Sequence, residues 1–228
     1  MKKSAFTIAE VLITLGIVGV IAVLTIPNLY LGTNSKANSA LLKSTYSQVG
    51  DAVKKAMIDQ GVTNILDLDF GGDTNTQKLA NFLRRYLDIA KDCGETTTNC
   101  FADAYYNISG TQITNPFRNG AAASSDIVES VLLSNGVAIG LYADFVNEDN
   151  CGIYLLIDVN AKKKPNVYGQ DTFGVWIDQF GSIGESGMYS STIEALPDLC
   201  RTLSTSAGAQ DCFNLLRARD WDLDNYLN

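Results

Sequence analysis

The sequence predicts an α+β fold in which one long N-terminal helix precedes an antiparallel β-sheet. Three observations lead to this prediction. An apolar run that starts at Phe6 continues into an amphipathic stretch that ends at Gly61. A second and shorter stretch then places apolar residues at helical spacing. From about Asp126 onward, the apolar residues instead form short strand-like segments that are separated by turn residues.

The apolar run at the N-terminus has the length expected of a membrane anchor. Residues 6–31 include about 20 apolar positions, and Lys2 and Lys3 before them favour a cytoplasmic N-terminus. A cleaved secretory signal fits less well, because its apolar core has only about 7 to 15 residues and ends at a small-residue site. We therefore expect an anchoring helix, with a kink at Pro27.

Glu10 is the feature of this run that a simple anchor does not explain. An ionised carboxylate in hydrocarbon costs about 2.5 to 3.5 kcal/mol even on lenient insertion scales. If residues 1–5 were removed as a short basic leader, the new amine of Phe6 would lie about one helical turn from Glu10. That amine, in the same chain or in a neighbouring subunit, would give the carboxylate an opposite charge.

The segment Ala5-Phe6-Thr7-Ile8-Ala9-Glu10, followed by an apolar helix that contains Pro27, resembles the N-terminal signal of type IV pilins and type II secretion pseudopilins. In that family a prepilin peptidase cuts before the phenylalanine and methylates its new amine, which implies a cut between Ala5 and Phe6. Glu10 matches the glutamate at the family's fifth mature position, which implies pairing with a neighbouring subunit during assembly. Ala5 stands where the family usually has glycine, and we therefore expect slower processing.

The resemblance implies a structural subunit, not an enzyme, with three parts. These are a prepilin leader (1–5), a transmembrane and assembly helix (6–31) and a pilin-like head (32–228) in the periplasm or outside the cell. Its partners would be further copies or other pseudopilins or pilins in a filament, the prepilin peptidase and the inner-membrane assembly platform. The other hypothesis is a single-pass, membrane-tethered module whose acidic head binds a ligand without polymerising.

The remaining elements follow from the spacing of apolar residues. Apolar residues from Leu42 to Met57 recur every three or four positions, which predicts that the first helix continues to Gln60. The same spacing predicts a second helix from Leu79 to Ala90. Strands are predicted at 128–133, 137–142, 151–159 and 172–178, and Ser134-Asn135-Gly136 predicts a hairpin turn between the first two.

The five cysteines predict disulfide bonds in an exported head. Two pairs and one unpaired cysteine allow fifteen arrangements, five choices of the unpaired residue times three pairings. Proximity favours Cys93 with Cys100 and Cys200 with Cys212, each loop contributing about 2.5 to 3 kcal/mol in the chain-entropy model. Cys151 would then be a buried free thiol. The second pair resembles the disulfide that often holds the C-terminal region of pilin-like heads.

One connection between predicted strands is a candidate Ca²⁺ site. Asp158, Asn160, Asn166 and Asp171 bring oxygen-bearing side chains to it, and Ca²⁺ prefers such ligands. Some pseudopilins hold calcium in a loop near the end of the sheet, so the resemblance adds to this hypothesis. The spacing differs from that of an EF-hand, and residues 162–164 are lysines. The alternative is a set of Asx turns that satisfy backbone groups.

Composition excludes several classes of function. The 17 basic and 25 acidic residues give a net charge of −8, and the basic residues form no footprint for nucleic acid. The chain has no histidine, which excludes Ser-His-Asp and Cys-His catalysis and zinc sites that contain histidine. We therefore expect no nucleic-acid partner.

Overall fold

The fold is α+β, as the sequence predicts. A computed structural model describes residues 7–72, 75–117, 127–142, 152–184, 193–204 and 208–228. In chain order the elements are α1 (Ile8–Gln60), a 3₁₀ helix (Ile65–Asp67), α2 (Asn75–Tyr86), β1 (Ile89–Gly94), β2 (Ile127–Leu133), β3 (Ala138–Tyr142), β4 (Gly152–Asp158), β5 (Thr172–Asp178), α3 (Leu196–Thr202) and α4 (Ala209–Ala218).

The first helix runs over 53 residues, and the buried side chains among its described residues all lie in its second half. Buried positions recur every three or four residues, which places them on one face of the helix; they are Leu42, Thr45, Val49, Ala52, Val53 and Ala56. Gly61 ends the helix in the left-handed conformation, with φ of 67°, and its N–H donates to the backbone of the last turn. The predicted helix to Gln60 is therefore confirmed.

The side chains of the described N-terminal part of α1, residues 8–21, are exposed. Pro27 lies inside the helix as the structure assigns it, and the side chains of residues 22–34 are outside those described. Within the described part of the chain, no helix is both long enough and apolar enough to cross a membrane. The kink at Pro27 stays a prediction.

The second helix begins and ends four residues earlier than the sequence predicts. Its predicted end at Ala90 is wrong, because α2 ends at Tyr86 and β1 begins at Ile89. Ile89 pairs with Leu133, and the backbone N–H of Ser134 donates to the carbonyl of Asp88 at 3.0 Å. The segment thus becomes a strand because the edge of β2 offers backbone partners, a long-range contact that helical spacing cannot reveal.

The sheet is an antiparallel meander with the strand order β1-β2-β3-β4-β5. The four predicted strands are all present, with ends shifted by one residue at most. Gly136, with φ of 87°, closes the hairpin between β2 and β3, and the Asn135 side chain accepts a hydrogen bond from the N–H of Val137. All residues of β3 and β4 are buried, so both faces of the sheet centre are covered.

Two C-terminal helices complete the head. The sequence patterns predict neither α3 nor α4. The α4 helix buries Phe213 beside Tyr46 of α1, with ring centroids 5.7 Å apart. Trp221 follows α4, packs against the same two rings, and accepts a hydrogen bond at its carbonyl from Ser39 Oγ at 2.5 Å. The C-terminal region therefore fastens the sheet side of the head to the long helix.

Candidate functional site

The described start of α1 carries an exposed apolar surface. Its large apolar side chains retain between 45% and 82% of their accessible area, and they are Ile8, Val11, Leu12, Ile13, Leu15, Ile17, Val18, Val20 and Ile21. They occupy every side of the helix over residues 8–21, because no head element packs there in the described structure. A helix that is apolar all round is normally covered by protein or by lipid.

Glu10 caps the helix on which it lies. Its carboxylate accepts hydrogen bonds from the backbone N–H and the hydroxyl of Thr7, both at 2.8 Å. The N–H of Glu10 in turn donates to Thr7 Oγ1 at 3.3 Å, which completes a capping box. The carboxylate thus has a local partner as well as the predicted intermolecular one, and sequence reasoning missed this cap although Thr-x-x-Glu is its signature.

The two processing residues lie outside the described part of the chain. Ala5 and Phe6 precede Thr7, where the description begins. The cut between them and the pairing of Glu10 with a neighbouring Phe6 stay predictions.

The connection between β4 and β5 brings the four predicted oxygen ligands into one region of the head. Asp158 is buried, and its carboxylate accepts a hydrogen bond from the Tyr105 hydroxyl at 2.5 Å and another from the backbone N–H of Asn160 at 3.1 Å. Burial and repulsion from Asp171 raise the pKa of Asp158 well above its usual range. Burial raises the pKa of the Tyr105 hydroxyl as well.

Asp171 organises the same connection from its other end. Its carboxylate accepts hydrogen bonds from the backbone N–H groups of Asn166 at 2.8 Å and Val167 at 2.7 Å, and from Asn160 Nδ2 at 3.1 Å. Burial raises the pKa of Asp171 to about 6, and these hydrogen bonds oppose the shift. The backbone contacts are of the kind that the Asx-turn alternative predicts.

Two amide oxygens in this connection lack hydrogen-bond partners among the described residues. They are Oδ1 of Asn160 and Oδ1 of Asn166, and both atoms are buried. Together with the carboxylates of Asp158 and Asp171, they are the ligands that could hold a hard cation such as Ca²⁺. Among the described residues, no three acidic, cysteine or histidine side chains are grouped so that they could share a metal.

The two predicted disulfides are present, between Cys93 and Cys100 and between Cys200 and Cys212. The first closes the connection that follows β1, and the second joins α3 to α4. Cys151 lies outside the described residues. The first pair therefore fixes a segment with little regular structure of its own, and the second pair holds two helices together.

A charged cluster that sequence reasoning missed lies where α2 meets the sheet. Arg84 Nε is 2.7 Å from Asp92 Oδ2, and Arg84 Nη2 is 3.6 Å from Glu129 Oε1. Burial raises the pKa of Glu129 to about 7, whereas the hydrogen bond from Arg84 lowers the pKa of Asp92. A glutamate within the apolar run of β2 was the sequence signal that could have pointed to this cluster.

Comparison with known proteins finds no matching family model, no matching curated protein and no matching solved structure.

Proposed function

We propose that the chain is a structural subunit, a pseudopilin or pilin, that polymerises into a type II secretion pseudopilus or a type IV pilus-like filament. The exposed apolar surface over residues 8–21 of α1 is the observation that carries this proposal. A soluble monomer rarely exposes a contiguous apolar patch of more than a few hundred Å². A surface that surrounds the helix needs an apolar environment on every side, and lipid before assembly and neighbouring helices after assembly provide it.

The position of the head supports the same function. Among the described side chains of α1, the buried ones lie from Leu42 onward, whereas residues 8–21 are exposed and available to partners. A subunit of this shape inserts its apolar half in the inner membrane and keeps the head in the periplasm. In a filament the apolar halves form the core, and the heads form the outer layer.

Processing and assembly are linked through Glu10 in this proposal. Prepilin peptidase removes residues 1–5 and methylates the amine of Phe6. The carboxylate of Glu10 then pairs with the amine of a neighbouring subunit as the inner-membrane platform adds it to the filament. A subunit in the wrong register leaves this charge unpaired in an apolar environment, which disfavours that register.

The second candidate is a tethered, ligand-binding module that does not polymerise. Two grooves of about 630 and 700 Å³ border residues 162–165 and could admit a small ligand. The two candidates share the anchored helix but differ in what happens to the N-terminus and in whether the apolar surface of α1 contacts other copies.

The test is the mass of the N-terminal peptide from membranes with and without prepilin peptidase. The proposed function requires a peptide that begins with N-methylated Phe6 when the peptidase is present, and a peptide that retains residues 1–5 when it is absent. The measurement is paired with electron microscopy of sheared filaments from the same cells. A chain that keeps Met1 in the presence of active peptidase contradicts the proposal and favours the tethered module.

A further inference from the structure

A basic ridge projects from the connection between β4 and β5. Lys162, Lys163 and Lys164 are consecutive and exposed on a chain whose net charge is −8. Within the described residues none of the three ammonium groups forms a salt bridge. The ridge is therefore a local positive feature of an acidic molecule, and its charges are available to an external partner.

The backbone of the ridge is held at both ends. On its N-terminal side, the N–H of Lys163 within the ridge donates to the carbonyl of Asn160, two residues before the ridge begins, at 3.2 Å. After it, the N–H groups of Asn166 and Val167 donate to the carboxylate of Asp171. A partner that binds the lysines therefore does not have to order a free loop first, which lowers the entropic cost of the contact.

An acidic segment follows α4 in the C-terminal region. Asp220, Asp222 and Asp224 are exposed, whereas Trp221 and Leu223 between them are half-buried. This alternation turns the three carboxylates outward while the apolar side chains pack on the head. Lys43 lies over the Trp221 ring, 5.9 Å from its centroid, and Arg219 is an exposed neighbour in sequence.

The basic ridge and the acidic segment flank the same turns of α1. The ridge borders a groove that Asn38 and Leu41 also line, whereas the acidic segment is fastened to Ser39 and Tyr46 through Trp221. At 3.6 residues per turn, these two pairs of positions are roughly 120° apart around the helix axis. Leu42, which is buried under the head, lies between them.

We propose that the basic ridge, Lys162–Lys164, binds the acidic segment, Asp220–Asp224, of a second copy of this chain. Opposite charges on the two flanks of one helix make a heterologous contact, in which one copy offers its ridge and the next offers its acidic segment. A heterologous contact generates a helical array when each copy is also displaced along the axis, as the proposed filament requires. It rests on the proposed function, because it adds a contact between heads to the contact between apolar helices.

Zero-length carbodiimide crosslinking of the processed wild-type chain in membranes tests the contact directly. We expect an intermolecular link between a lysine of residues 162–164 and Asp220 or Asp224, identified by mass spectrometry. The absence of this link in chains that have lost the leader overturns the inference. A leader that is never removed instead overturns the proposed function, so the two failures are distinguishable.

Exchanging the charges of the two surfaces tests whether the contact contributes to filament assembly. Lys163→Glu and Asp224→Lys should each lower filament yield about fivefold at matched membrane levels, and the double variant should recover most of the yield. Asp220 is not substituted in this test, because its φ is 53°. Asp222 is not substituted either, because its carboxylate accepts hydrogen bonds from Asp224 N and Asn225 Nδ2.

The matched control is Lys54→Glu, which makes the same charge change at an exposed lysine of α1. Leader removal should be unchanged in all of these variants. A loss in the control as large as that in Lys163→Glu overturns the inference, because net charge alone would then explain it. A double variant that stays as defective as either single variant overturns it too. The inference is also overturned if Lys163→Glu weakens binding to vesicles of phosphatidylglycerol and leaves filament yield unchanged, because the ridge would then bind lipid.

Discussion

At the scale of a single residue, Glu10 has a capping role in the structure and a second role that we propose. Its carboxylate caps α1 through Thr7, and we propose that it also pairs with the amine of a neighbouring Phe6. The cap is made within one chain and does not require assembly. The proposed intermolecular pair requires removal of the leader, because only then would Phe6 carry a positive charge.

The first prediction separates these roles by substitution of Glu10. Glu10→Leu should insert into membranes at least as well as wild type, because it removes a charge that is costly in hydrocarbon. Leader removal should be intact, since Ala5 and Phe6 are unchanged, whereas N-methylation and filament yield should fall. Glu10→Gln should be milder if polarity suffices and equally defective if charge is required. Filament yield at matched membrane levels is the measurement.

Thr14→Leu is the control for this series. It also replaces a polar side chain of the same segment by leucine, but the Thr14 hydroxyl donates only to backbone carbonyls of its own helix, at 2.9 and 3.0 Å. We expect it to assemble normally. Normal assembly by Glu10→Leu would contradict the proposed role of the glutamate and leave it with the capping role alone.

The second prediction concerns Ala5. The resemblance implies that glycine before the cut is processed faster, because glycine lacks the side chain that the peptidase must accommodate. Ala5→Gly should therefore shorten the half-time of leader removal in a pulse-chase experiment, without a change in the final extent. An unchanged half-time would show that Ala5 is not what limits processing.

The third prediction follows from the raised pKa values of the buried aspartates. A carboxyl whose pKa is raised by folding stabilises the protein while it is protonated. For Asp171 this stability is present below about pH 4 and is lost as the pH rises through about 6. We expect the free energy of unfolding to fall between pH 4 and pH 7. Asp158→Asn removes one of the two repelling charges, so the fall should be smaller in this variant than in wild type.

Urea unfolding of the detergent-solubilised chain, followed by tryptophan fluorescence at several pH values, measures this difference. Glu129 also has a raised pKa but is present in both chains, so it does not account for a difference between them. Asp103→Asn, at an exposed aspartate, is the control and should leave the slope unchanged. Parallel pH profiles for wild type and Asp158→Asn would contradict the coupling of the two buried carboxylates.

At the scale of the elements, the β4–β5 connection is either a set of turns or a cation site. If it holds Ca²⁺, chelation should lower the free energy of unfolding at pH 7, because a ligand that binds only the folded state stabilises it. Asp171→Ala should abolish the difference between chelated and calcium-loaded protein. An unchanged stability after chelation would favour the turn interpretation. In that interpretation, Asp171 stabilises the connection by accepting hydrogen bonds from backbone N–H groups.

The fourth prediction compares the two disulfides. Replacing Cys200 and Cys212 by alanine should cost about 3 kcal/mol, and replacing Cys93 and Cys100 about 2.5 kcal/mol, because the longer loop loses more entropy when it is closed. The first change should also expose Trp221, since the disulfide ties α3 to the helix on which Trp221 packs. Urea unfolding with tryptophan emission measures both effects. Equal emission spectra would contradict the proposed fastening of the C-terminal region.

At the scale of the whole molecule, the long helix contributes to the buried core of the head only over part of its described length. The described buried core uses α1 only from Leu42 onward, whereas residues 8–21 contribute exposed surface. The fifth prediction is that removal of residues 1–29 leaves a folded, soluble head. A monomeric elution volume and a cooperative unfolding transition under oxidising conditions are the measurements. Aggregation of this shortened chain would show that the N-terminal half of α1 is needed for the head to fold.

Local patterns predicted much of this molecule. The extent of α1, the four strands from β2 to β5 and both cysteine pairs follow from periodicity, turn residues and short sequence separation. These features depend on neighbours within a few residues, or on a loop short enough for proximity to favour one partner. For the same reason the apolar surface of α1 could be inferred before any fold was known.

Long-range contacts decided the rest. Ile89 and Ala90 have the spacing expected at the end of a helix but begin β1, because the edge of β2 supplies hydrogen-bond partners to this strand. The burial of Asp158 against Tyr105 joins residues 53 positions apart, and the contact of Trp221 with α1 spans an even longer separation. Such contacts leave no periodic trace in the sequence, because closing a long loop depends on the packing of the whole chain. The tertiary structure alone therefore places the basic ridge and the acidic segment on the two flanks of α1.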